Sequence, residues 1–254
     1  MRRASQAFTM VEIAIVLVII GLLVGGILVG QDLIKGGSFK KQVSQIEGYR
    51  TSTNSFRDKY NGLPGDLTAQ TANGFTMTAR SGAAGHGDGS GRIEGCATNA
   101  TAAGCETLLY WNDLTFAGLL SPSMNTATDA PATITVANVD TYLPRAALQE
   151  NHIVVYTDGS QNYFQLTGVQ STDGSGTYTL ADRLTPMDAT AIDTKLDDGQ
   201  AMVGSVRAMG GAGPLGVAAV PGATSCVSTA TGNPYNTATD ATGSAKLCQL
   251  SLRM

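Results

Sequence analysis

The stretch AFTMVEIAIVLVIIGLLVGGILVG, Ala7 to Gly30, carries a single charge, Glu12. After it come 18 uncharged residues, Ile13 to Gly30. At ~1.5 Å per residue a helix of that length covers ~27 Å, close to the hydrocarbon thickness of a bilayer. The sequence therefore predicts one membrane pass. Arg2 and Arg3 precede it, so the positive-inside bias puts the N-terminus in the cytoplasm and the C-terminal bulk outside. A cleaved secretory signal would have a shorter apolar region ending in an A-x-A-like site, whereas VGQDLIKGG, Val29 to Gly37, follows here. Glu12 is costly in this setting. An acid at the centre of a spanning helix costs ~3 kcal/mol on insertion scales, so Glu12 requires either hydration at headgroup depth or a neutralising partner.

Beyond the span the periodicity remains helical. Phe39, Val43, Ile46, Tyr49 or Arg50, Thr53, Phe56 and Tyr60 recur every three to four residues, with Lys40, Lys41, Gln42, Glu47, Arg57 and Asp58 on the other faces. A helix from Phe8 to Tyr60 would be ~80 Å long, so half of it must project from any compact domain. Gly36-Gly37 is its weak point at the membrane surface, and Asn61-Gly62-Leu63-Pro64-Gly65-Asp66 ends it.

The run Ala7-Phe8-Thr9-Met10-Val11-Glu12, followed by an apolar helix, resembles the class III signal of type IV pilins and type II secretion pseudopilins. The resemblance implies cleavage between Ala7 and Phe8 by a prepilin peptidase and N-methylation of Phe8. Glu12 then becomes the fifth mature residue. It implies assembly through Phe8 and Glu12, the new amine of one subunit approaching the carboxylate of another; such a pair would set register more than net stability. The implied partners are other pilin-like subunits, the peptidase, an inner-membrane assembly platform and the bilayer. The implied location is the bacterial inner membrane with a periplasmic domain, then a pilus or pseudopilus. Two positions depart from the usual pattern: Ala7 stands where Gly is common before the cut, and Val29 where many pilins have a helix-bending proline. The corresponding organisation is a leader at 1–7, a filament-core helix at 8–30, the periplasmic half of the helix at 31–61 and a globular domain at 62–254. The fold class is α+β and pilin-like, a long helix packed on an antiparallel sheet.

The domain is rich in Gly, Ser, Thr and Ala, and the whole chain is only 14% charged. Net charge is −4, and without Arg2 and Arg3 there are 14 basic against 20 acidic side chains. That balance argues against a general binder of nucleic-acid phosphates. Cys96, Cys105, Cys226 and Cys248 lie wholly in the exported part and admit three pairings, of which the local one, Cys96 with Cys105 and Cys226 with Cys248, is simplest. Zinc competes poorly, since no C-x-x-C occurs and only His86 and His152 would complete a site.

Glu106 to Leu120 has helical spacing, with Trp111 facing a core. Strand-like runs follow at Thr133 to Val139, His152 to Thr157, Tyr163 to Gly168 and Thr177 to Leu180, with Asp158-Gly159 and Asp173-Gly174 as hairpin signals. Thr185-Pro186-Met187-Asp188 opens a helix expected to end at Gly199, before a strand from Met202 to Ala208. Its C-terminal end gathers Asp193, Asp197 and Asp198, where like charges and the helix dipole are both unfavourable and compensation is required. The phrase IDTKLDDG resembles a motif in some pilin-like domains, and pseudopilins often hold calcium in acidic loops. These three carboxylates are thus a candidate calcium set, the competing reading being a solvated acidic helix end with Lys195 nearby. The loop HGDGSGRIEG, His86 to Gly95, partly imitates a calcium loop, but His86 and Ala97 replace its end carboxylates and a Gly-rich surface turn is the simpler reading.

Nothing in the chain favours catalysis: G-x-S-x-G, H-E-x-x-H, Walker and dinucleotide loops are missing from the sequence. Two functional classes remain, a filament subunit and a membrane-tethered binding domain or enzyme that does not polymerise.

Overall fold

The computed structural model describes residues 9–96, 104–121, 123–148, 150–173, 177–210, 215–238 and 245–254. Ala7 and Phe8 lie outside the described residues. The first element, α1, is one helix of 51 residues, Met10–Tyr60, about 77 Å long at the usual rise. It begins with a capping box in which Thr9 and Glu12 satisfy each other's backbone N–H groups. It ends at Asn61, whose left-handed conformation (φ 53°) turns its N–H back to the Arg57 carbonyl at 2.8 Å. Gly36-Gly37 does not interrupt it.

The two halves of α1 meet different surroundings. Residues 9–29 are all exposed. The second half buries Phe39, Gln42, Ile46, Tyr49, Thr53, Phe56 and Tyr60. This is the face the spacing predicts, and of the two residues it leaves open, Tyr49 and Arg50, Tyr49 is the buried one. Two positions differ: Val43 is only half-buried, and Gln42 is buried because its side-chain carbonyl accepts the Leu148 N–H at 3.1 Å. Gln45 beside it accepts the Ala147 N–H at 2.9 Å and donates to the Arg145 carbonyl at 2.8 Å, which fixes the loop 145–148 on the helix.

After a short α2 (Ala69–Gly74), α3 (Cys105–Phe116) is almost wholly buried, with Trp111 at 0% exposure. Tyr110 in α3 shares a 2.5 Å hydrogen bond with Thr53 of α1. A single turn, α4 (Val139–Tyr142), leads to an antiparallel sheet of β1 (His152–Thr157), β2 (Asn162–Thr172) and β3 (Tyr178–Ala181). Next come α5 (Pro186–Leu196), β4 (Val206–Met209) and β5 (Gln249–Arg253). The strand order is β1-β2-β5-β4, with β3 paired to the far half of β2 across a bulge between Val169 and Ser171. The α1 helix packs on α3 and α5, and α3 packs on β1. Contact with the sheet is made at Tyr49, whose ring centroid is 6.1 Å from that of Phe164 in β2. The chain is thus α+β, a long N-terminal helix with an antiparallel sheet.

Both disulfides take the local pairing, Cys96 with Cys105 and Cys226 with Cys248. Cys248 also exchanges backbone hydrogen bonds with Leu184, both at about 3 Å, so the 22-residue loop it closes is tied to the entrance of α5. Three expectations are corrected. Thr133 to Val139 is not a strand: Asn138 accepts the Thr135 N–H at 2.7 Å and folds the run into a turn, leaving one bridge between Thr135 and Ser171. The strand expected from Met202 starts only at Val206, because 202–205 turn around Asp197. The helix expected to reach Gly199 stops at Leu196.

Phe56 is fully buried at the centre of the α1 interface, its ring centroid 4.5 Å from that of Tyr60. Phe56→Ala should lower unfolding stability by roughly 3–5 kcal/mol in denaturant titrations, the usual cost of deleting a buried aromatic ring; a loss below 1 kcal/mol would show that α1 is not held there.

Candidate functional site

The apolar half of α1 is packed against nothing among the described residues. Among the described residues it is the one helix long and apolar enough to cross a membrane, and its aliphatic side chains from Val11 to Val29 are all exposed. Glu12 sits in its first turn. One carboxylate oxygen accepts both the Thr9 N–H at 2.7 Å and the Thr9 hydroxyl at 2.8 Å, while Thr9 Oγ1 accepts the Glu12 N–H at 3.2 Å. The carboxylate therefore has a partner within its own chain, next to the positive end of the helix. The other oxygen makes no hydrogen bond among the described residues.

A second polar centre lies where the chain leaves α1. Gly65 adopts φ 84° and passes so close to the Glu106 carbonyl that a side chain would not fit. This places the next residue, Asp66, inside the loop read from sequence as a plain Gly-rich turn. Gly87, Gly89 and Gly91 all have positive φ, alternating with Asp88 and Ser90, which makes a concave row of N–H groups. Asp66 fills it, accepting from Gly89 at 2.8 Å, Ser90 at 3.2 Å and Gly91 at 2.7 Å. Glu106, fully buried on α3, accepts from Gly87 at 2.7 Å and Glu94 at 2.8 Å. One oxygen each from Asp66, Asp88 and Glu106 lies within 4.8 Å of the others, a hard-oxygen set of the kind that suits calcium or magnesium. Each oxygen of Asp66 and Glu106 already accepts at least one N–H from the loop, so the arrangement ties the loop to the fold. Beside it Arg80 and Asp113, both fully buried, pair at 2.8 Å; Asp113 also accepts the Gly65 N–H at 2.7 Å, and Arg80 donates to the Gly65 carbonyl at 3.0 Å.

The sequence-predicted calcium set is brought together at the end of α5, with oxygens of Asp193, Asp197 and Asp198 within 4.8 Å of each other. It is not a simple solvated helix end. Asp193 is buried, accepting the Tyr235 hydroxyl at 2.7 Å and the Gly199 N–H at 3.1 Å. Asp197 caps the helix and accepts the N–H groups of Ser205 and, at 3.1 Å, Val206; Asp198 accepts that of Gln200 at 2.9 Å. The compensation that the clustered charges require is thus supplied by backbone donors of the following turn. His86 stands apart from both groups, its Nδ1 2.9 Å from Asp129 and 3.3 Å from the Cys105 sulfur. With Cys105 bonded to Cys96 that sulfur offers no thiolate to a metal. His152 opens β1, with its Nε2 3.1 Å from Asp140 of α4.

Asp66 and Glu106 are not legible in the sequence because their donors lie 23 to 25 positions away in Asp66's case and 12 to 19 in that of Glu106. The only sequence signal was the Gly alternation itself, which demands an anion without saying which.

Burial pushes the Asp66 carboxyl up to about 7 against the pull of the Gly91 and Gly89 N–H groups, with Asp88 adding to the rise. It pushes Glu106 up to about 8, opposed by the Glu94 N–H and reinforced by Asp66, and Asp193 up to about 6. A carboxyl whose folded pKa is raised binds its proton more tightly when folded. Its contribution is full below the unfolded value of about 4 and is lost as pH rises through the folded one. His152, lowered by burial, acts in the opposite sense. The three carboxyls outnumber it, so melting temperature should fall between pH 5 and pH 8.5, roughly the interval those pKa values bound. Glu106→Gln should flatten the fall while lowering stability throughout. A melting temperature that rises across this interval would contradict the assignment.

No protein-family model, curated protein or solved structure matches the chain.

Proposed function

We propose that the chain is a pilin-like subunit of a type IV pilus-like or type II secretion pseudopilus filament, stored in the membrane and assembled through the apolar half of α1. One observation carries this reading: a single helix is exposed over 10–29 and apolar there but for Glu12, then packed into a disulfide-bonded domain from Phe39 onward. A simple anchor needs a span, but it does not need the span to continue without a break as the spine of the domain. The continuity transmits position from a helical bundle to the domain, as a filament requires. The resemblance at Ala7, Phe8 and Glu12 supports the same reading, with processing before Phe8. In it the domain faces an oxidising space beyond a bacterial inner membrane, consistent with two disulfides. The chain would act structurally, without catalysing a reaction.

A second reading is a monomeric anchored domain, and the capping box favours it specifically. Thr9 already gives Glu12 a partner, so a lone helix can carry this carboxylate without a neighbour. The filament reading assigns the neighbour's Phe8 amine to the oxygen Thr9 leaves free.

Intact-mass measurement of membrane-extracted protein separates the two. The filament reading expects a chain starting at N-methylated Phe8; a chain that still begins at Met1 supports the tether. Glu12→Ala should leave insertion and processing intact and reduce filament incorporation several-fold, and incorporation equal to wild type would sink the proposed role of Glu12.

A further inference from the structure

A cavity of about 320 Å³ opens between α1 and the edge of the domain, within the size range of small-ligand sites. Four of its lining residues, Arg50, Thr53, Asn54 and Arg57, follow the i, i+3, i+4, i+7 spacing of one helix face; Leu63 and Met254 line it as well. Thr53 is committed to Tyr49 and Tyr110. Asn162, which also lines the cavity, is committed too, accepting the Ile93 N–H and donating to the Gly91 carbonyl, both at 2.9 Å. Arg50 donates through its two terminal nitrogens to Glu47 at 2.6 Å and to the Arg253 carbonyl at 2.5 Å, which orients the guanidinium, but its Nε is buried without an acceptor. Arg57 and Asn54 are exposed, and neither side chain has a hydrogen-bond or ion-pair partner among the described residues. Arg57 and the Asn54 amide are thus free donors facing the cavity, while Arg50 is already answered by Glu47. The half-buried Leu63 and Met254 supply apolar surface in the same cavity.

We infer that this cavity binds a small monocarboxylate on an apolar body, of the size and chemistry of an N-acyl amino acid. The planar fork of Arg57 suits a carboxylate, which it grips through two parallel N–H bonds. Asn54, one turn before Arg57, can add a single donor to the same oxygens, while Leu63 and Met254 cover the aliphatic part. An inorganic anion would use the donors and leave the apolar wall wet; a neutral ligand would leave the Arg57 guanidinium unanswered. The site is on the packed half of α1, so its occupation does not depend on how the exposed half is used.

The test uses the full chain in detergent micelles, with empty micelles as blank, and titrates N-acetyl-L-leucine by ligand-observed NMR. Saturable binding is expected, with N-acetyl-L-leucinamide and inorganic phosphate each at least roughly tenfold weaker, the loss that removing a charge-assisted bidentate contact or the apolar contact brings. Arg57→Gln should weaken binding by about the same factor and Asn54→Ala by less. Both residues are exposed, so an unchanged melting temperature will show that the variants fold. Equal binding of acid and amide, equal binding of phosphate, undiminished binding by Arg57→Gln, or no saturable binding at all would each overturn the inference.

Discussion

The ring of Tyr49 meets the indole of Trp111 edge-on at 5.1 Å between centroids and lies 6.1 Å from Phe164, joining α1, α3 and β2 at one point. Trp111 in turn touches Tyr110 at 4.8 Å, and Tyr110 is hydrogen-bonded to Thr53 one turn beyond Tyr49. Such contacts are directional as well as apolar. They hold α1 at a defined rotation, which a sheet of aliphatic contacts alone would do less strictly. Because α1 is unbroken, that rotation carries to its far end: the azimuth of Glu12 outside the domain follows from how Tyr49 is seated within it.

Around this aromatic junction the chain deals with its buried charges by wrapping backbone about them. Asp66 and Glu106 are enclosed by the Gly-rich loop, Asp113 by Arg80 and Gly65, and Asp193 by Tyr235 and Gly199. In each case a loop with little apolar content of its own gains a fixed course from an acid on or beside a helix. This substitutes for hydrophobic burial in a Gly- and Thr-rich domain, since an unmet carboxylate or N–H inside would cost more than the bonds return. The two disulfides support the same segments. Cys105 opens α3 beside Glu106, and Cys226 and Cys248 close the tail that supplies Tyr235.

What was readable in advance was local. The course of α1 from 39 to 60, its Asn61-Gly62 stop, the Thr185-Pro186 start of α5 and the hairpin at Asp158-Gly159 all rest on signals within a few residues of the feature. Features missed depend on distant partners. QLSLR, β5, looks too polar for an inner strand, yet Gln249 and Ser251 are buried because Gln165, Thr167 and Tyr156 bond to them at 2.7–2.8 Å. Conversely, the β-branched run from Thr133 has strand propensity, which the Asn138 side chain overrides by capturing the Thr135 N–H. At the candidate sites the spacing of Asp193, Asp197 and Asp198 correctly implied compensation, but not that backbone would supply it. The resemblance at Ala7 to Glu12 is a matter of sequence alone, since Ala7 and Phe8 lie outside the described residues.

The place of β5 in the sheet has a temporal meaning. It is the last strand in the sequence, yet it sits between β2 and β4, taking the register Leu166 with Leu250 on one side and Val206 with Leu252 on the other. Until residues 249–253 have been made, β4 lacks its partner strand and the edge of β2 stands open. The sheet therefore stays unfinished while every other described element has already been made. Its closure is tied to the arrival of these five residues, and only a chain made through Arg253 can present a closed sheet.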